Sequence, residues 1–127
     1  MPDHTDSPTK AEWKVLKTVT DAGECAARDV VAACDREFSW SASTIKTLLR
    51  RLVEKGHLTT RRVGNSFLYR PSRSARKALR RAADALLENA SEGTVAPLLA
   101  YMVKKSRLST EELAELRGLL DAVEDDR

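Results

Sequence analysis

From position 45 the apolar residues Ile45, Leu48, Leu49, Leu52 and Val53 recur at i, i+3, i+4, i+7 and i+8. That is the spacing of a single buried stripe on an α-helix. Ser41 stands where an N-cap belongs, and Gly56 stops the pattern. The opposite face carries Ala42, Ser43, Lys46, Thr47 and Arg50. The period then changes from helical to alternating. His57–Val63 and Phe67–Arg70 read as two strands separated by Gly64-Asn65-Ser66, with Leu58, Phe67 and Tyr69 directed inward. Pro71 ends the second strand, because it has no N–H for a ladder. A chain with this order must bury one helix face and carry a hairpin beside it.

Two helices precede this piece. Thr9 and Glu12 fit a capping box, Trp13, Leu16, Val19 and Thr20 recur at helical spacing, and Gly23 closes the run. A second, short helix is expected over about 26–35, burying Ala27, Val30, Val31 and Cys34. The stretch from Asp35 to Trp40 reads as a connection in which Phe38 or Trp40 plugs a gap in the core. Three helices and then a hairpin form the winged helix-turn-helix arrangement, expected over residues 1–72.

Charge is unevenly placed. Residues 41–81 hold twelve Lys or Arg against one Glu, a balance of +11. Residues 82–127 hold five basic and ten acidic residues, a balance of −5. A solvated surface usually mixes its signs, so the block needs a polyanionic partner, with double-stranded nucleic acid the default. The residues expected to meet DNA are Ser41, Ser43, Thr44, Lys46, Thr47, Arg50 and Arg51 on the third helix, with Arg61, Arg62 and Arg70 on the hairpin. Small hydroxyl residues let the helix start enter a major groove, where Lys46 can reach guanine acceptors or the backbone. Arg50, Arg51 and the hairpin arginines suit phosphates flanking the groove. Ser41 and Thr44 would serve as local caps whatever the function.

Several other functions are disfavoured. No apolar run approaches the length of a membrane span, and the polar start MPDHTDSPTK lacks an apolar signal region, so a cytoplasmic location is expected. Cys25 and Cys34 form no CxxC pair and read as buried apolar thiols, not as a redox switch. His4 and His57 lack metal-ligand neighbours, so no metal and no cofactor is expected. Without an acid–base pair or a glycine-rich phosphate loop, the chain is not expected to be an enzyme.

After Pro71 the texture changes. Leu79, Ala82, Ala83, Leu86 and Leu87 stripe one helix. Val95, Leu98, Leu99, Met102 and Val103 stripe a second, with Gly93 before it and Pro97 in its first turn. Ser109 with Glu112 makes another capping box, ahead of Leu113, Leu116, Leu120 and Val123. Three such helices bury little alone, so residues 73–127 read as a dimerisation region, the alternative being that they fold back onto their own winged domain. The residues expected to carry it are Leu79, Leu86, Leu98, Leu99, Met102, Leu113, Leu116 and Leu120. The polar Ser72-Arg73-Ser74 junction suits a swivel between the two parts. A two-fold dimer would place two recognition helices on the half-sites of a palindrome.

Three segments, SPTKAEWKVLKTV, SWSASTIKTLLRRLVEKGHLTTRRVGNSFLY and LLAYMVKKSRLSTEELAELRGLL, carry a resemblance to a known family. The most specific run is W-S-x-x-T-[IV]-[KR]-T-L-[LI]-x-R-L-x-[KE]-K-G, here Trp40 to Gly56. Over residues 8–123 the chain resembles the penicillinase repressor family, which includes β-lactamase, methicillin-resistance and copper-responsive repressors. The resemblance implies a homodimeric transcriptional repressor, with Ser43, Thr44, Lys46 and Thr47 on the operator and the wing running from Arg61 to Tyr69. It also implies antibiotic-resistance regulation, and derepression when a membrane sensor protease or its downstream protease cuts an Asn-Phe bond in the penultimate helix. Tyr101-Met102 occupies that place here, as the matching cleavage position. The C-terminus LLDAVEDDR lacks the cysteine cluster of copper-responsive members, so copper sensing is not expected. The alternative to a repressor is a winged-helix adaptor that binds protein rather than DNA.

Overall fold

The computed structural model describes residues 7–127; His4 lies outside them. The order is α1 (Lys10–Ala22), β1 (Cys25–Ala26), α2 (Ala27–Phe38), α3 (Ala42–Glu54), β2 (Leu58–Val63), β3 (Ser66–Pro71), α4 (Arg73–Asn89), α5 (Val95–Ser106) and α6 (Thr110–Asp125). The chain divides into two compact units, one ending at Asp84 and one running from Ala85 to Arg127.

In the first unit, α1 starts with the expected capping box. The Thr9 N–H donates to Glu12 Oε1 at 2.9 Å, and the Glu12 N–H donates to Thr9 Oγ1 at 3.2 Å. Its buried stripe is Glu12, Val15, Leu16 and Val19. Leu16 and Val19 are buried as expected, but Trp13 is only half-buried and Thr20 is exposed, and Glu12 and Val15 complete the stripe in their place. At φ 84° Gly23 turns the chain where a side chain would be strained, and its N–H closes on the Val19 carbonyl at 2.9 Å.

Helix α2 runs three residues further than its polarity suggests and ends where Ser39 takes a left-handed conformation, φ 59°. Phe38 therefore belongs to the helix, not to a loop. Phe38 and Trp40 pack against the core with ring centroids 4.8 Å apart, under the Lys14 ammonium. Neither ring is fully enclosed.

Helix α3 buries Ile45, Leu48, Leu49 and Leu52, as its periodicity requires. These meet Val15, Val19, Val30 and Leu58 in one aliphatic core. Two residues, Gly64 and Asn65, make the turn between β2 and β3, and Ser66 opens β3 instead of belonging to the loop. The sheet has a third member that the sequence did not disclose. Two-residue β1 pairs antiparallel with β3 (Cys25↔Tyr69, Ala26↔Leu68), producing the order β1-β3-β2.

Tyr69 lies against the core, as expected. Phe67 does not: it is 52% exposed. It pairs with Arg62 one step from the turn, and the Arg62 guanidinium, 5.9 Å from its ring centre, is the neighbour it meets in place of the core.

The expected swivel at Ser72 is instead a fixed corner. Its N–H donates to the His57 carbonyl at 2.9 Å, its hydroxyl donates to the Gly56 carbonyl, and its Oγ accepts the Ser74 N–H. Ala75 and Ala78 then bury their methyl groups in the first unit.

In the second unit, Ser109 and Glu112 cap α6 reciprocally at 3.0 and 3.1 Å. Arg107, at φ 52°, ends α5. No residue of this unit is buried; Val95, Leu98, Val103, Leu108, Leu113 and Leu116 are half-buried. Among the described residues no helix is long and apolar enough to cross a membrane.

Candidate nucleic-acid interface

The start of α3 is built by its own hydroxyls. Ser41 Oγ accepts the Thr44 N–H at 3.2 Å and donates to Thr44 Oγ1 at 3.0 Å. Thr47 Oγ1 donates to the Ser43 carbonyl at 3.0 Å. These bonds use local partners, so the helix end is preformed. Ser41, Ala42, Ser43, Thr44, Lys46, Arg50 and Arg51 are exposed and Thr47 is half-buried. The first turn contains no carboxylate. The N–H dipoles at this end and the Lys46 ammonium therefore present one sign of charge. Among the described residues the sole ion pair on this face is Arg50–Glu54, 3.9 Å apart and exposed, worth about 0.3–0.5 kcal/mol.

A buried contact holds the far end of α3. Lys55 Nζ donates to Glu12 Oε1 at 2.6 Å and to the Ser7 carbonyl at 3.2 Å. The Glu12 side chain is 1% exposed and that of Lys55 21%. Burial by itself would raise the Glu12 pKa, but hydrogen bonds from Lys55 and the Thr9 amide, together with the Lys55 charge, hold it below 4.5. Lys55 counts in the basic block of the sequence, yet it points inward and ties α3 to the start of α1.

The hairpin arginines have different surroundings. Arg61 makes a two-pronged pair with Glu24, Nε to Oε2 at 2.8 Å and Nη2 to Oε1 at 2.9 Å. The Arg61 hydrogen bond, with the charges of Arg61 and Arg70, holds the Glu24 carboxyl below its ordinary value despite some desolvation. Arg62 Nε donates to the Gly64 carbonyl at 3.1 Å, and its guanidinium lies 5.9 Å from the Phe67 ring centre. Arg70 is exposed. Glu24 is the participant that sequence reading missed. It lies 37 positions from Arg61, and only the β1–β3–β2 order brings it to the hairpin.

The thiols are free and buried, as expected. Burial, with Asp29, pushes the Cys25 pKa up. Burial also raises that of Cys34, offset in part by the Thr18 hydroxyl 3.8 Å away. Such thiols are poor nucleophiles. Among the described residues no His, Cys, Asp and Glu cluster is arranged to hold a metal.

Of the residues expected to dimerise, Leu79, Leu86, Leu99, Met102 and Leu120 are exposed, while Leu98, Leu113 and Leu116 are half-buried. Tyr101 and Met102 both lie within α5 and are exposed.

Comparisons with known proteins agree with this geometry. The chain is 32% identical over 122 residues to an uncharacterised 16.5 kDa protein of Latilactobacillus sakei, covering 96% of this chain and 84% of that one. It is 27% identical over 111 residues to the penicillinase repressor of Bacillus licheniformis, covering 87% of each. A solved structure of a probable transcriptional regulator from Pseudomonas aeruginosa matches with a TM-score of 0.50 and 26% identity, over 91% of this chain and 77% of that one. Residues 8–122 match the family described as penicillinase repressor, and the chain therefore belongs to that family of transcriptional repressors, which are not enzymes.

Proposed function

We propose that the chain is a homodimeric repressor that sets α3 into the major groove of a palindromic operator and lays the β2–β3 wing along the flanking backbone. The carrying observation is the division of α3 into two faces. Ile45, Leu48, Leu49 and Leu52 are locked in the core, while Ser43, Lys46 and Arg50 stand in solvent beside a helix start free of carboxylates. Ser43, Thr44, Lys46 and Thr47 read the groove, and Arg50, Arg51, Arg62 and Arg70 hold phosphates, with Arg61 joining them when it leaves Glu24. The α3 and wing contacts to DNA lie within the residues up to 72, and the dimerisation residues lie within 73–127.

Dimerisation is supported by the uncovered side chains of α4–α6. Leu86, Leu99, Met102, Leu119, Leu120 and Val123 are all about half exposed or more, which a second copy would cover. Derepression at Tyr101–Met102 would need α5 to unwind locally, because both residues lie inside the helix. The protein works in the cytoplasm, where its operator is.

A gel-shift on the promoter region beside its own gene tests the reading. Wild type should give a sequence-specific, salt-sensitive shift. Lys46→Ala with Arg50→Ala should weaken it at least tenfold while leaving the oligomeric state intact. Undiminished binding by that variant would favour the adaptor reading.

A further inference from the structure

The first turns of α4 carry Arg73, Arg76, Lys77, Arg80 and Arg81, five cations in nine residues. No Asp or Glu occurs anywhere from Lys55 to Ala83. At 100° per residue, Arg73, Arg76, Lys77 and Arg80 fall on the arc opposite Ala75 and Ala78, the two residues that α4 buries. All four are exposed, and among the described residues none pairs with a carboxylate.

This arrangement works against the helix that bears it. Arg73–Lys77 and Arg76–Arg80 are like charges at i, i+4, and Arg73–Arg76 and Lys77–Arg80 are like charges at i, i+3. Arg73 and Arg76 also stand in the first turn, at the positive end of the dipole, with no acidic residue to offset them. An external row of negative charge would relieve both penalties.

We infer that this face of α4 is a second polyanion-binding surface, and that its occupant is the sugar-phosphate backbone of the duplex outside the segment met by α3 and the wing. The inference rests on the proposed DNA-binding function. Two observations favour a duplex over another anionic surface. The start of α4 is fixed to the α3–β2 corner, through Ser72 to the Gly56 and His57 carbonyls, so its cations travel with the recognition helix. The cationic arc formed by Arg73, Arg76, Lys77 and Arg80 also carries no apolar side chain, as phosphate contact requires and insertion into a lipid interface does not.

The test uses the full chain and two duplexes, the promoter region beside its gene and a mixed-sequence duplex several helical turns long. Binding is titrated against salt by fluorescence anisotropy. Arg76→Gln with Arg80→Gln keeps good helix formers in place, and circular dichroism should show an unchanged or higher Tm. Sedimentation should show the oligomeric state of wild type.

The expected result is weaker binding to both duplexes, by roughly tenfold. The log–log salt slope should also be shallower by about 0.9 for each phosphate that the variant no longer neutralises. An unchanged slope and affinity, in an experiment where Lys46→Ala with Arg50→Ala does weaken promoter binding, overturns this inference and leaves the repressor function standing. Loss of binding to phosphatidylserine vesicles with DNA binding untouched overturns it in favour of a membrane surface. Wild type that binds neither duplex removes both readings together.

Discussion

Two carboxylates, Glu12 and Glu24, decide how much of the positive charge reaches a partner. Glu12 is buried and ion-paired to Lys55 at 2.6 Å. Its pKa is lowered on folding, so the contact contributes stability that is present above the ordinary value of 4.5 and lost as pH falls through the folded value. Glu12→Gln should therefore lower stability by about 2 kcal/mol near neutral pH. Urea melts should show that deficit shrinking below pH 4.5; a deficit constant down to strongly acidic pH would remove the role given to this pair. Glu24, by contrast, neutralises Arg61 at the wing. Glu24→Gln should release the guanidinium, tighten DNA binding and steepen the salt slope by about 0.9 per chain. Weaker binding in that variant would mean that the pair orients the wing and does not restrain it.

At the level of elements, α3 must be held rigidly on one side so that the other can be presented to a groove. Leu49 is fully buried at the centre of that hold. Leu49→Ala should cost about 2–4 kcal/mol, seen as an earlier thermal midpoint, by leaving a cavity among aliphatic side chains that cannot collapse freely. The α3 stripe was legible in the sequence because a helix period needs only local spacing. The third strand was not. Two residues offer no alternation to detect, and Cys25 and Ala26 become a strand only because β3 lies beside them. Phe67 shows the same limit from the other side. Alternation assigned it inward with Tyr69, but whether an inward face meets anything depends on how far the hairpin projects.

For the whole molecule, the second unit of residues 85–127 buries none of its side chains, although Leu99, Met102 and Leu120 are large and apolar. Two helices and the end of a third make a marginal core unless a second copy completes it. Met102→Lys with Leu120→Lys should shift sedimentation from dimer to monomer. It should also weaken operator binding far more than half-site binding, since two linked recognition helices act at a raised effective concentration. Counting only Arg50, Arg51, Arg62 and Arg70, with Arg61 held by Glu24 and the α4 cations left aside, the proposed dimer should show a salt slope of about −7 or steeper, and a monomer about half that.

Helix periods, caps and the segregation of charge are written in neighbouring residues, so the order of helices and hairpin, the buried stripe of α3 and the family run from Trp40 to Gly56 could be read from the chain alone. Which cations fold onto a distant carboxylate could not. Lys55 and Arg61 look like Lys46 and Arg70 in the sequence, but Lys55 meets a carboxylate 43 positions away and Arg61 one 37 positions away. Coulomb interactions act through space, and only the folded chain sets those distances.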